Sequence, residues 1–89
     1  MSIDVYQARR QRRELNEYIQ VLLNTKQDMD IAMSQINNAW VSTEINSINS
    51  YIEGINKDIT LLINELERLG EDIVYVAEEI KKEEEFLRN

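Results

Sequence analysis

From Ile45 to Ile80 the chain places an apolar residue at every third or fourth position: Ile45, Ile48, Ile52, Ile55, Ile59, Leu62, Leu66, Leu69, Ile73, Val76 and Ile80. The intervals alternate three, four, three, four without a slip. That is a heptad seam with a branched aliphatic residue at every a and d position. At ~1.5 Å rise per residue, a helix over this stretch is roughly 54 Å long. So thin a rod cannot fold alone, because its apolar edge has nothing to bury against. The rest of the chain, or a partner, has to cover that seam.

A weaker seam precedes it. Val5, Ala8, Leu15, Ile19, Leu22, Met29, Met33, Ile36 and Trp40 keep the same alternation, and Arg12 and Lys26 occupy the two positions that break it. Long basic side chains lay their stems over apolar surface while the charge stays in water, so the helix tolerates both. Polar seam residues can also fix register. Met29 and Met33 read as gap-fillers in a packed seam. With no proline and two glycines, the composition favours long uninterrupted helices over turn-rich sheets. Gly54 and Gly70 fall off the a and d positions, and the second seam stays in phase through both.

The two seams are out of phase. Continuing the first beyond Trp40 predicts apolar residues at positions that hold Thr43 and Ser47, whereas the second begins at Ile45. A chain reversal explains the jump, and one long helix with a stutter is the alternative. Capping chemistry favours the reversal. Asn37 and Asn38 tolerate the left-handed conformation that ends helices, Ser42 or Thr43 can cap a new helix, and Glu44 suits its first turn. The expected fold is all-α: one domain over residues 1–89, an antiparallel helical hairpin with helix 1 about 4–37, a turn about 38–43 and helix 2 about 44–86. In that register Ile36 lies beside Ile45, Met33 beside Ile48, Leu22 beside Ile59 and Leu15 beside Leu66. Arg9, Arg10, Arg12 and Arg13 then run along Glu65, Glu67, Glu71 and Asp72, and the acid-rich end of helix 2 projects beyond helix 1.

More apolar surface is present than one hairpin consumes. Tyr18, Leu23 and Ala32 flank the first seam, and Tyr51, Ile63 and Ala77 flank the second. A stripe this wide suits helices with more than one neighbour, as in two hairpins packed into a four-helix bundle. A chain of 89 residues in a two-helix layer has a thin core, which also points to a partner. Tyr18, Leu23, Tyr51 and Ile63 are the candidate partner-interface residues, for a homodimer or a heterodimer.

Several function classes lose their chemistry. Cysteine and histidine are both absent, so there is no disulfide, thiolate, imidazole base or nitrogen and sulfur metal ligation. Paired carboxylates need a walled cleft to cleave a glycoside, and a rod offers none. No catalytic, cofactor or metal residue is therefore expected, and the chain reads as a binding protein. Its formal charge of −7 arises in the second half, where residues 41–89 carry five basic and twelve acidic side chains. That field argues against nucleic acid. No apolar run is long enough to span a bilayer, and Met1 to Arg13 lacks the apolar core of a signal peptide, so any export is expected to be leaderless.

Trp40-Val41-Ser42 at the turn and Tyr75-Val76-Ala77-Glu78-Glu79 late in helix 2 complete a pattern. In a short acidic helical hairpin, these residues resemble the WXG100 family of small proteins exported by type VII secretion systems. Trp40 and Ser42 stand where that family has Trp-x-Gly, with serine replacing the glycine. Tyr75 and Glu79 fit its Tyr-x-x-x-Asp/Glu export motif. The chain is also similar to the small WXG100-like partners of LXG toxins. The resemblance implies a Trp40 packed at the hairpin end and an export or targeting signal at Tyr75 and Glu79. It further implies protein partners (itself, a related small protein or the helical N-terminus of an LXG-type toxin, and a secretion ATPase) and a cytoplasmic stage before secretion or cell-surface association. A cytosolic coiled-coil adaptor or structural subunit with no export role is the alternative.

Overall fold

The computed structural model describes residues 4–40 and 43–88. They form an all-α antiparallel hairpin of two long helices, α1 (Val5–Ala39) and α2 (Thr43–Arg88), measuring 72 × 16 × 14 Å. Asp4 caps α1, its side chain accepting the Gln7 backbone N–H at 3.0 Å and so satisfying one otherwise unpaired donor of the first turn. Helix α1 runs through Asn37 and Asn38 to Ala39, and no described residue has a positive φ. The asparagines therefore do not break the helix as expected. Asn37 accepts a hydrogen bond from Asn49 of α2 at 2.8 Å, a cross-link that holds the last turn of α1 helical. Trp40 leaves the helix in extended conformation while its N–H still donates to the Ile36 carbonyl at 2.9 Å. At 46 residues against 35, α2 extends past the start of α1, and Phe86 and Leu87 near its far end are exposed.

The covered face of α1 follows the heptad spacing. Val5, Ala8, Arg12, Leu15, Ile19, Leu22, Lys26, Met29 and Met33 are buried or half-buried, including the two basic residues that interrupt the apolar pattern. Their accommodation is specific. The Arg12 stem packs on Gly70, with its Cγ 3.1 Å from where a Cβ on that residue would stand. The Lys26 ammonium donates to the Thr60 hydroxyl at 2.7 Å. Ile36 and Trp40, the last positions of the seam, are exposed.

Helix α2 departs from the expected seam by a rotation of one position. Ile45, Ile52, Ile59, Leu66 and Ile73 face α1 as anticipated, but about one helical turn from the expected register: Leu15 packs at Gly70 and not at Leu66, Lys26 meets Thr60, and Asn37 meets Asn49. The second row facing α1 is Asn49, Asn56, Ile63, Gly70 and Ala77. The expected row is turned outward: Ile48, Leu62, Leu69 and Val76 are exposed, and Ile55 is half-buried. Gly70 and Ala77 admit α1 at close range, which Leu69 and Val76 in the same place would prevent. The rotation also sets Gly70 under the Arg12 stem. Size at the point of closest approach, not hydrophobicity alone, selects the packed face.

Candidate partner interface and recognition motif

The two edges of the hairpin differ. On one edge α1 and α2 are tied by polar contacts: Arg9 to Glu78 at 3.1 Å, Asn56 to Asp30 at 3.1 Å and Asn49 to Asn37 at 2.8 Å. Arg9 thus meets an acid further along α2 than the expected set Glu65, Glu67, Glu71 and Asp72. Both partners are about half exposed, so the pair adds only ~0–1 kcal/mol. Near the turn this edge carries a groove of about 420 Å³ lined by Asp30, Asn37, Asn49 and Asn56 among others.

The opposite edge is apolar. Ile48, Ile55, Leu62, Leu69 and Val76 recur every seven residues and so lie in one line along α2. Tyr18, Thr25 and Ala32 of α1, also seven apart, border the same edge, because they sit on the side of α1 away from Asp30 and Asn37.

Of the partner-interface candidates, Tyr18, Leu23 and Tyr51 are exposed. Ile63 is not: at 6% exposure it is buried between the helices, a consequence of the rotation of α2. Helical geometry also divides the exposed three. Leu23 is seven residues before Asp30 and belongs to the hydrogen-bonded edge, whereas Tyr18 and Tyr51 belong to the apolar one, at different heights.

Trp40 is 65% exposed, so the expected lid over the hairpin end does not form within the chain. With α1 continuing to Ala39, the extended backbone of Trp40 carries its ring off the end of the interhelix face. Ser42 lies outside the described residues. Tyr75 is 64% exposed, and Glu79, one helical turn on, is exposed as well and accepts from Lys82 at 3.3 Å. Four residues apart, Tyr75 and Glu79 share one outer face of α2. Phenol and carboxylate there offer a flat apolar contact beside a charge-assisted hydrogen-bond acceptor. Their surroundings toward α1 are Ile73, Val74 and Ala77, which are half-buried or buried and hold this turn of α2 in place.

Sequence reasoning missed the row Asn49, Asn56, Ile63, Gly70 and Ala77. Its signal is a seven-residue recurrence that includes Gly70 and Ala77, two of the three smallest side chains of α2, but Ile48 to Val76 is the more apolar row and dominates the periodicity. Among the described residues no helix is long and apolar enough to cross a membrane, and no cluster of three or more acidic side chains is arranged to hold a metal ion. No protein-family model, curated protein or solved structure matches this chain.

Proposed function

We propose that this chain is a small helical protein of a type VII secretion system, one that binds a helical protein partner and carries a targeting signal at Tyr75 and Glu79. The observation that carries this reading is the pairing of those two side chains on the outer face of α2, exposed and one turn apart. Such a pair stays hydrated in the free hairpin and is open to a receptor. The partner is a second copy, a related small protein or the helical N-terminal region of an LXG-type toxin, and the receptor is a component of the secretion machine such as its ATPase. On this reading the chain performs no catalysis. It is cytoplasmic before export and then secreted or associated with the cell surface.

The test is the distribution of the protein between cytosol and culture medium in its native host, comparing wild type with Tyr75→Ala and Glu79→Gln. The expected result is wild type outside and both variants retained, with unchanged thermal melting because neither side chain is buried. Equal secretion of all three ends the assignment of the export signal to Tyr75 and Glu79. A second reading, a helical adaptor without export, draws on the apolar row from Ile48 to Val76, which calls for a partner and not for secretion. Retention of all three proteins inside the cell favours it.

A further inference from the structure

The apolar row on the outer edge of α2 has a rim that defines its occupant. Ile55, Leu62, Leu69 and Val76 are each followed three residues later by an acid: Asp58, Glu65, Asp72 and Glu79. All four acids are exposed, and the three-residue offset puts them on the same flank of the helix. On the α1 side of the edge the bordering positions are Gln11, Tyr18, Thr25 and Ala32, then Glu14, Val21, Asp28 and Gln35. None of the chain's ten basic residues falls on these rows.

From this we infer that the edge is a docking strip for a helix of a different chain, one with an apolar heptad seam flanked by lysine or arginine. The inference rests on the partner-binding part of the function proposed above. Four heptads from Ile48 to Val76 give a strip about 42 Å long. Such a strip is read by a helix lying alongside it, with seam residues between the leucines and isoleucines and cations over the acidic row. A second copy of the chain fits poorly. A twofold interface sets the same patch against itself, which brings Asp58, Glu65 and Asp72 against rows that carry acids and no basic residue, whereas Glu79 holds Lys82 of its own chain at 3.3 Å. Like charges at that range oppose pairing and select a partner of opposite sign. The row also contains Glu79, so the docked helix passes beside the residue proposed as part of the targeting signal. Partner capture and signal display then share one turn of α2.

The test uses the full chain and three labelled synthetic peptides, each four heptads long. One has isoleucine and leucine in the seam and lysine at the flanking positions, the second has glutamate at those flanks, and the third keeps the lysines but has serine in the seam. Fluorescence anisotropy is expected to show binding of the first at least about tenfold tighter than of either other peptide. The Leu62→Ser, Leu69→Ser double variant, altered only at exposed positions, is expected to lose about tenfold or more in affinity while its circular dichroism still shows the folded helical hairpin at the assay temperature. The Asp58→Lys, Glu65→Lys, Asp72→Lys variant is expected to prefer the glutamate-flanked peptide. Equal binding of all three peptides, or a double variant that binds as wild type does, overturns the proposal. A stable dimer of the chain in sedimentation that the double variant abolishes also overturns it, in favour of a second copy. The two readings fail separately. Loss of peptide binding with Tyr75-dependent secretion intact removes the docking strip alone, and intact binding with Tyr75-independent secretion removes the export signal alone.

Discussion

One heptad row of α2 passes through two different kinds of interface. Toward the turn it presents Asn49 and Asn56, which bond to Asn37 and Asp30 of α1 at exposed positions. Away from the turn it presents Ile63, Gly70 and Ala77, all buried, opposite Ala8 and Ile19. Among the described residues of the near half only Ile45 is buried, and Ile36, Trp40 and Ile48 are exposed. The two halves therefore do different jobs. Close approach over glycine and alanine, with a buried isoleucine between, removes apolar area from water and supplies most of the stabilisation. Exposed amide bonds add little net free energy, but they pair only in one register and so align the helices. The far half holds the hairpin closed, and the near half determines how it closes.

The largest effect that can break this comparison comes from two adjacent residues. Ile63 is 6% exposed and Leu62 is 44% exposed. Ile63→Ala is expected to cost about 2–4 kcal/mol in urea unfolding, as lost burial plus a residual cavity. Leu62→Ala is expected to cost about 1 kcal/mol or less, because it removes a side chain that is already half in water. Equal losses would mean that α2 is not rotated as described and that the regular Ile48 to Val76 row faces α1 after all.

This contrast also marks the limit of what the sequence makes legible. The two helices, their antiparallel arrangement and the packed face of α1 follow from periodicity, because α1 offers one apolar seam. Helix α2 offers three adjacent rows, with apolar residues on all of them, and hydrophobic spacing cannot rank them. The choice depends on Gly70 making room for the Arg12 stem and on Thr60 receiving the Lys26 ammonium, contacts between positions far apart in the chain. Asn37 and Asn38 were legible as helix breakers only in isolation. The bond from Asn49 keeps that turn helical. In the recognition motif, the exposure of Tyr75 and Glu79 follows from their spacing relative to the seam. The exposure of Trp40 does not, since it depends on how late α1 ends.

The glycines sharpen the same comparison at a smaller scale. A Cβ at Gly54, in the near half, meets nothing within 4 Å. Gly54→Ala is expected to raise stability by about 1 kcal/mol through helix propensity alone. At Gly70, in the far half, the Cβ would stand 3.1 Å from Arg12 Cγ and 3.6 Å from Leu15 Cδ1. Gly70→Ala is expected to gain less than Gly54→Ala, since part of the propensity gain is spent moving the Arg12 stem. Chemical denaturation of the two single variants gives the ranking, and a larger gain at Gly70 would show that the far half is not closely packed. Asn56→Ala is expected to lose about 0.5–1 kcal/mol, a hydrogen bond to Asp30 in a partly solvated setting.

The smallest stability effect is expected at the turn. Trp40 is 65% exposed, and the contact that orders it, its N–H to the Ile36 carbonyl, belongs to the backbone and survives truncation of the side chain. Trp40→Ala should shift stability by about 0.5 kcal/mol. The chain has one tryptophan, so its fluorescence reports this site without interference. In the isolated hairpin the emission is expected to be red-shifted, as for a solvated indole, and readily quenched by acrylamide. A blue-shifted, protected emission at dilute concentration, together with a melting loss near that of Ile63→Ala, would place the ring in a core and extend the tightly packed region to the turn. Protection that appears only when a helical partner is added would keep the near half open in the free chain and make its closure a consequence of binding. The indole would then close the hairpin end as a contact between chains, since α1 and α2 alone leave it in solvent.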